Sequence, residues 1–194
     1  MANLALVESA DPSAPTKITP INRDARLRRM VDSYVDLVGR VLRNAGTPEA
    51  EIEDSVQSTF IVAAKRLDDV RHGAERSFLV QIALNVAAHA RRSAARRREL
   101  PTAEPPEVVD SSTPEQLTSQ KRERQLLDQV LDALDPDLRD VFVLYEFEEM
   151  TMAEIATALE IPAGTVASRL RRARIEFRER VSALQLTSKP EVMR

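Results

Sequence analysis

The chain has 194 residues, with 28 Lys and Arg set against 31 Asp and Glu for a formal net charge of −3. Hydrophobic residues make up 43% and aromatics only 4%, with 4 Gly, no Trp and no Cys, so disulfides, thiolate metal sites and a cysteine nucleophile are excluded. Packing by Ala, Leu, Val and Ile, without long stretches alternating at period two, points to an all-α fold.

Residues 1–22 hold Pro12, Pro15 and Pro20 among Ser, Thr and Ala without apolar periodicity, and read as a mobile tail. From Arg23 to Ala45, Leu27, Met30, Val31, Tyr34, Leu37, Val38, Val41 and Leu42 recur at helical steps, and Gly46 is the expected stop. Thr47-Pro48-Glu49 reads as a hydroxyl cap, a proline at the first position and an acid for the dipole. The helix it opens is expected to reach about Val70, with Ile52, Val56, Phe60, Ala63 and Leu67 inward and Glu53, Asp54, Gln57 and Ser58 outside. After a loop at Arg71–Arg76, Ser77 is the expected cap of a third helix. That helix carries Phe78, Leu79, Ile82, Ala83, Val86 and Ala87 and runs into Arg91, Arg92, Arg96, Arg97 and Arg98.

Residues 100–119, rich in proline and acids, read as a flexible linker because they bury too little to offset ordering entropy. Helical spacing resumes at Leu126, Leu127, Val130, Leu131 and Leu134. Asp135-Pro136-Asp137 repeats the cap, proline and acid signature ahead of Leu138, Val141, Phe142 and Leu144 or Tyr145. The chain is thus expected to form two small helical domains, 23–99 and 120–186, joined by that linker and followed by a short tail, 187–194.

Within the second domain, Ile155, Ala156, Leu159, Ile161, Val166 and Leu170 fit a short helix, a tight turn at Glu160-Ile161-Pro162 and a second helix packed across the first. This is the helix-turn-helix pattern, whose second helix enters the DNA major groove. Thr165, Ser168, Arg169, Arg171, Arg172 and Arg174 lie on that second helix as candidate DNA contacts. The overall negative charge hides segregation: arginines cluster at 91–98 and at 169–180, with an acidic stretch between them, and a polyanion responds to the local potential.

Four stretches resemble the extracytoplasmic-function (ECF) RNA polymerase sigma factor family. They are Ile52-Glu-Asp-Ser-Val-Gln-Ser-Thr-Phe60, Phe78-Leu-Val-Gln-Ile-Ala-Leu-Asn85 with its basic run, Leu134-Asp-Pro-Asp-Leu-Arg139, and Gly164-Thr-Val-Ala-Ser-Arg-Leu-Arg-Arg-Ala-Arg174. The resemblance spans about residues 23–99 and 120–184. It implies that Asp54, Gln57 and Phe60 bind core RNA polymerase at the clamp helices of its largest subunit, with the flap of the second-largest as a further contact. Asn85, Arg91, Arg92, Arg96 and Arg97 would engage and help open the promoter −10 element, with Arg71–Ser77 as a wall of the base pocket. The helix-turn-helix would read the −35 element as duplex. The protein would then be a promoter-specificity subunit, not an enzyme, with promoter DNA, core polymerase and an anti-sigma factor as partners and no cofactor.

The chain departs from the family pattern at Ser58, where an acid is usual, at Phe78 for Trp, at His89 for an acid, and at Glu160, where Gly would meet a φ above zero at no cost. The competing reading is a stand-alone helix-turn-helix regulator with an N-terminal sensor or dimerisation domain. No catalytic triad, phosphate loop or metal spacing is present, and His72 and His89 form no metal-ligand set. No apolar run of about 18 residues is long enough to insert in a membrane, and without a signal-like N-terminus the expected location is cytoplasmic.

Overall fold

The computed structural model describes residues 20–99 and 119–187. Its helices are α1 (Pro20–Asn44), α2 (Ile52–Lys65), α3 (Glu75–Glu99), α4 (Ser119–Asp132), α5 (Pro136–Glu146), α6 (Met152–Leu159) and α7 (Ala163–Thr187), with short 3₁₀ turns at Glu49–Glu51 and Leu67–Asp69. The architecture is all-helical. The expected linker and most of both tails lie outside the described residues.

In the first group α1, α2 and α3 pack on one another. The inward residues are those the periodicity selects: Leu37, Val38, Val41 and Leu42 from α1, Ile52 and Ala63 from α2, Leu79, Ile82, Ala83 and Ala87 from α3. Gly46 stops α1 as expected, at φ +85°, and Thr47 N donates to Leu42 O at 3.1 Å while Gly46 N donates to Arg43 O at 3.0 Å. These are the paired bonds of a Schellman stop.

Four local expectations give way. First, α1 begins at Pro20, inside the expected tail, because proline suits the first helical position. Second, the Thr47 hydroxyl is buried without a hydrogen-bond partner and caps nothing; Glu49–Glu51 forms a 3₁₀ turn before α2. Third, α2 ends at Lys65, not near Val70. There Arg23 Nη2 donates to Ala64 O at 2.6 Å, and buried Arg26 donates to Leu67 O at 3.3 Å and Val70 O at 2.8 Å. Guanidinium groups thus satisfy carbonyls that would otherwise call for another turn. Fourth, α3 starts at Glu75, so Ser77 lies within the helix, buried, and is not its cap. The Glu75 carboxylate instead accepts from Gly73 N at 2.6 Å and from Arg26 at 2.8 Å. Burial opposes its ionisation, but the bonds from Arg26, its own N–H and Gly73 prevail and hold its pKa below the ordinary value.

In the second group α5 and α6 pack against α7, and α4 lies along α7. Asp135 caps α5 as expected, accepting from Asp137 N at 2.9 Å ahead of Pro136. Thr151 and Glu154 form a capping box: Glu154 N donates to Thr151 Oγ1 at 3.3 Å and Thr151 N donates to Glu154 Oε2 at 2.8 Å. Glu160 closes α6 at φ 54°, ψ 39°, the left-handed geometry expected of that turn, and Glu149 before α6 also has φ 52°. Leu126, expected inward, is 45% exposed, whereas Val130, Leu131 and Leu134 are buried.

The two groups are docked, α3 against α6 and α1 against α5. At one end of the seam Arg139 of α5 is only 4% exposed. It donates from Nε to Asn44 O at 2.9 Å, and its guanidinium lies over Gly46, where an added Cβ would sit 2.6 Å from Nη1.

Candidate nucleic-acid interface

The recognition helix follows from the turn that precedes it. Ile161 N donates to Ala156 O at 3.1 Å, and Thr165 N and Val166 N donate to Pro162 O, so the chain reverses within four residues and enters α7. Val166, Leu170 and Ala173 are buried and fix which face of α7 points in. At 100° per residue the opposite face carries Ser168, Arg171, Arg172 and Ile175, all exposed. Thr165 lies at its edge, half-buried.

The remaining two arginines are tied to α5. Arg169 pairs with Asp137 at the start of α5. Arg174 Nε donates to Glu146 Oε1 at 2.6 Å near its end, and its guanidinium stacks 5.1 Å from the Tyr145 ring. That hydrogen bond raises the pKa of Arg174 above its ordinary value. Among the described residues Arg172 makes a long contact to Glu176, at 3.6 Å. Ser168 Oγ donates to Thr165 O at 2.9 Å, which leaves its lone pairs outward. The face is cationic, convex and free of bulky side chains at Gly164 and Ala167, as a helix entering a groove must be.

A second cationic face lies on α3. Asn85, His89, Arg92 and Arg96 follow at steps of four, three and four and form one stripe; Asn85, His89, Arg92 and Arg96 are all exposed. Arg91 and Arg97 of the block do not join it. Arg91 donates to Ala45 O at the end of α1, and burial lowers its pKa. Arg97 pairs with Glu51. The family resemblance grouped Asn85, Arg91, Arg92, Arg96 and Arg97 together; helical phase separates them, and the same phase brings in His89, which was left without a role.

The third face belongs to α2. Asp54, Gln57, Ser58, Ile61 and Lys65 share one exposed stripe, and Ile61 is 48% exposed. Phe60 is turned away from it and packs, half-buried, against the core. Ile61 was missed because the inward stripe took every apolar residue at the expected spacing. An isoleucine on the outward phase, flanked by Asp and Gln, was the available signal.

Residues 30–97 match the Sigma-70 region 2 family and residues 124–176 the Sigma-70, region 4 family. The RNA polymerase sigma factor NccH of Alcaligenes xylosoxydans xylosoxydans is 32% identical over 154 residues, covering 77% of this chain and 83% of NccH. The ECF RNA polymerase sigma-E factor of Escherichia coli (strain K12) is 33% identical over 147 residues, covering 71% and 77%. The chain belongs to the ECF sigma factor family.

Two solved structures share the fold of this sigma factor. CnrH in complex with the cytosolic domain of CnrY aligns with a TM-score of 0.62 at 24% identity, over 86% of this chain and 91% of CnrH. The sigma factor RpoE in complex with the anti-sigma factor NepR from Bartonella quintana aligns at 0.64 and 21%, over 81% and 97%. As a sigma factor the chain directs promoter-specific initiation and is not itself an enzyme. The stand-alone regulator is thereby set aside, since a region 2 match occupies the place where it needs a sensor. No helix among the described residues is long and apolar enough to cross a membrane.

Proposed function

We propose that the three exposed faces divide the work of a sigma factor. The α2 stripe of Asp54, Gln57 and Ile61, with Phe60 bracing it from the core side, binds the clamp helices of the polymerase largest subunit, and the second domain contacts the flap of the second-largest. The α3 stripe of Asn85, Arg92 and Arg96 engages the −10 element as it opens. Strand opening costs a few kcal/mol in lost stacking, which a cationic groove and a pocket for the displaced base offset. A small cavity of about 200 Å³ beside the Arg71–Ser77 loop, lined by Tyr34, His72, Glu75 and Arg26, lies next to that helix. On α7, Ser168, Arg171 and Arg172 read −35 base edges, with Thr165 at the margin. Arg169 and Arg174, oriented by Asp137 and Glu146, grip phosphates on either side. Arg91 and Arg97 act as helix-end and surface ion-pair groups.

The observation that carries this reading is the coincidence, on two separately packed helices, of outward arginine stripes with a third, polar and apolar stripe on α2, which packs against α3. CnrH and RpoE were solved with CnrY and NepR, which supports an anti-sigma factor as a further partner. Run-off transcription with core polymerase and a candidate promoter tests the proposal. A promoter-dependent transcript is expected. Binding to −35 duplex without any transcript would refute the assignment.

A further inference from the structure

Helical phase leaves one side chain of the recognition helix without a task. Val166, Leu170 and Ala173 are buried, and at 100° per residue Ile175 lies about half a turn away from Val166. Ile175 is accordingly 39% exposed. Its phase is within about 20° of Gly164 and of Ser168, with Arg171 about 40° to one side and Arg172 about 60° to the other. From its start onward the outward face thus presents a bare glycine, a hydroxyl, two guanidinium groups and then a branched alkyl group.

An exposed apolar side chain standing alone on a surface calls for no special account. Ile175 differs in its setting, at the centre line of the face that carries the outward arginines. Two flanking guanidinium groups are engaged elsewhere. Arg174 is held by Glu146 and the Tyr145 ring, and Arg178 Nε donates to Arg174 O at 3.1 Å. Ile175 is left open to whatever the face meets. Its branched Cβ all but fixes the first rotamer in a helix, so the methyl groups are presented with little side-chain entropy to lose.

A helix lying in the major groove meets base edges that are mostly hydrogen-bond donors and acceptors, which an alkyl group leaves unpaired. The apolar feature among them is the C5 methyl of thymine. We propose that Ile175 packs on a thymine C5 methyl in the −35 element, and so selects an A·T pair, with its thymine on the contacted strand, at one position of that element. The inference rests on the −35 role assigned to α7 above. Adenine or guanine there would set an unpaired N7 acceptor against the alkyl group, and cytosine would bring no methyl. The reach is adequate. Ile175 follows Ser168 by seven positions, about 10.5 Å along the axis, inside the ~12 Å width of the groove. It follows Arg172 by three positions, about 4.5 Å, against a base-pair step of ~3.4 Å. The contacted thymine therefore lies within about two base pairs of the pair that Arg172 reads.

Deoxyuridine differs from thymidine only by the C5 methyl and pairs in the same way. The test titrates holoenzyme, assembled from core polymerase and the full chain, onto promoter duplexes in which each thymine of the −35 element is replaced in turn by deoxyuridine. With the wild type, one replacement should weaken binding about fourfold, the transfer value of a single methyl group. I175A should bind the unmodified promoter at least about fourfold more weakly and show no further loss with deoxyuridine at that position. I175V, which keeps the branched Cβ, should retain the sensitivity. Both variants should melt with the wild type, because the side chain stands outside the core. R172A should relax discrimination at a base pair within about two of the sensitive thymine.

A wild type indifferent to every replacement overturns the proposal. So does I175A that keeps the full deoxyuridine penalty. So does I175A that transcribes poorly at unchanged promoter affinity, which would place Ile175 against the polymerase. Failure of the −35 assignment looks different: R172A then leaves promoter affinity and sequence preference untouched. Failure of the thymine contact alone leaves R172A defective while the deoxyuridine scan is flat or unaltered by I175A.

Discussion

Glu160 and Glu149 bracket α6 in left-handed backbone, at φ 54° and 52°, a conformation that costs a side-chain-bearing residue about 1–2 kcal/mol. Glycine meets that geometry freely but loses more freedom on folding, so E160G should raise stability by roughly 0.5–1 kcal/mol. Thermal unfolding should show the gain as a rise of a few degrees, with −35 duplex affinity unchanged; a lowered melting temperature would contradict it. Asp140 poses the opposite case. Burial pushes its carboxyl up to about 6, with Asp137 adding to the effect and Arg91, Arg139 and Arg169 opposing it, and its Oδ1 has no hydrogen-bond partner among the described residues. The folded value exceeds the ordinary 3.8, so folding favours the protonated acid. Its contribution is complete below about pH 4 and is lost as the pH rises through about 6. D140N, neutral throughout, should therefore be more stable than the wild type by on the order of 1–3 kcal/mol at pH 7.5 and nearly equal to it at pH 4. Melting curves from pH 4 to 8 check this, and a difference that does not change with pH would contradict the assignment.

At the scale of the helix, phase decides function. Arg91 and Arg92 are neighbours in sequence, yet one closes α1 and the other faces outward. R92A and R96A should weaken −10 DNA binding and each reduce the salt slope by about one, with stability kept. R91A should do the reverse, lowering the melting temperature while leaving the salt slope alone. On α2, I61E should cut core-polymerase affinity at least tenfold without destabilising the protein, since Ile61 is 48% exposed; surface plasmon resonance on immobilised core polymerase measures it. The helices and their inward stripes were legible because a single 3.6-residue period governs a helix buried on one side. The cap at Asp135 ahead of Pro136 was equally legible from its residue order. What periodicity hid was α3, apolar on two sides, where Val80 and Leu84 fall outside the stripe that Leu79, Ile82 and Ala83 define. The starts of α2 and α3 were misread because a 3₁₀ turn with no side-chain cap takes up Glu49–Glu51, and because the Glu75 carboxylate, not a serine hydroxyl, accepts from Gly73 N at the start of α3. The turn at Glu160 was legible despite its residue, because Ile161 and Pro162 fix the corner.

For the molecule as a whole, the apolar core is continuous from α1 to α7, so the two groups unfold as a coupled unit. Calorimetry of the free protein should show one transition, and R40E should separate it into two. A wild type that already melts in two steps would show that the seam adds little. None of this docking was visible in the sequence, since Arg40, Arg124, Arg139 and Glu148 are unremarkable surface residues until tertiary structure sets them face to face. The negative overall charge is likewise resolved by placement: Glu51 engages Arg97, which would otherwise extend the α3 face, while Asp137 and Glu146 hold Arg169 and Arg174 at the margins of the α7 face.

Gly46 ties a local turn to a contact between the two halves. Asparagine also tolerates left-handed backbone and can end a helix, so the stop on α1 would survive such a change. The close approach of Arg139 would have to give way, because any Cβ at that position meets its guanidinium at 2.6 Å. Position 46 is therefore a marker that can be read across relatives without a structure. Where it is glycine and position 139 is arginine, the guanidinium can lie flat over the turn; where it is asparagine, the first domain keeps its helix stop and Arg139 must swing its guanidinium aside.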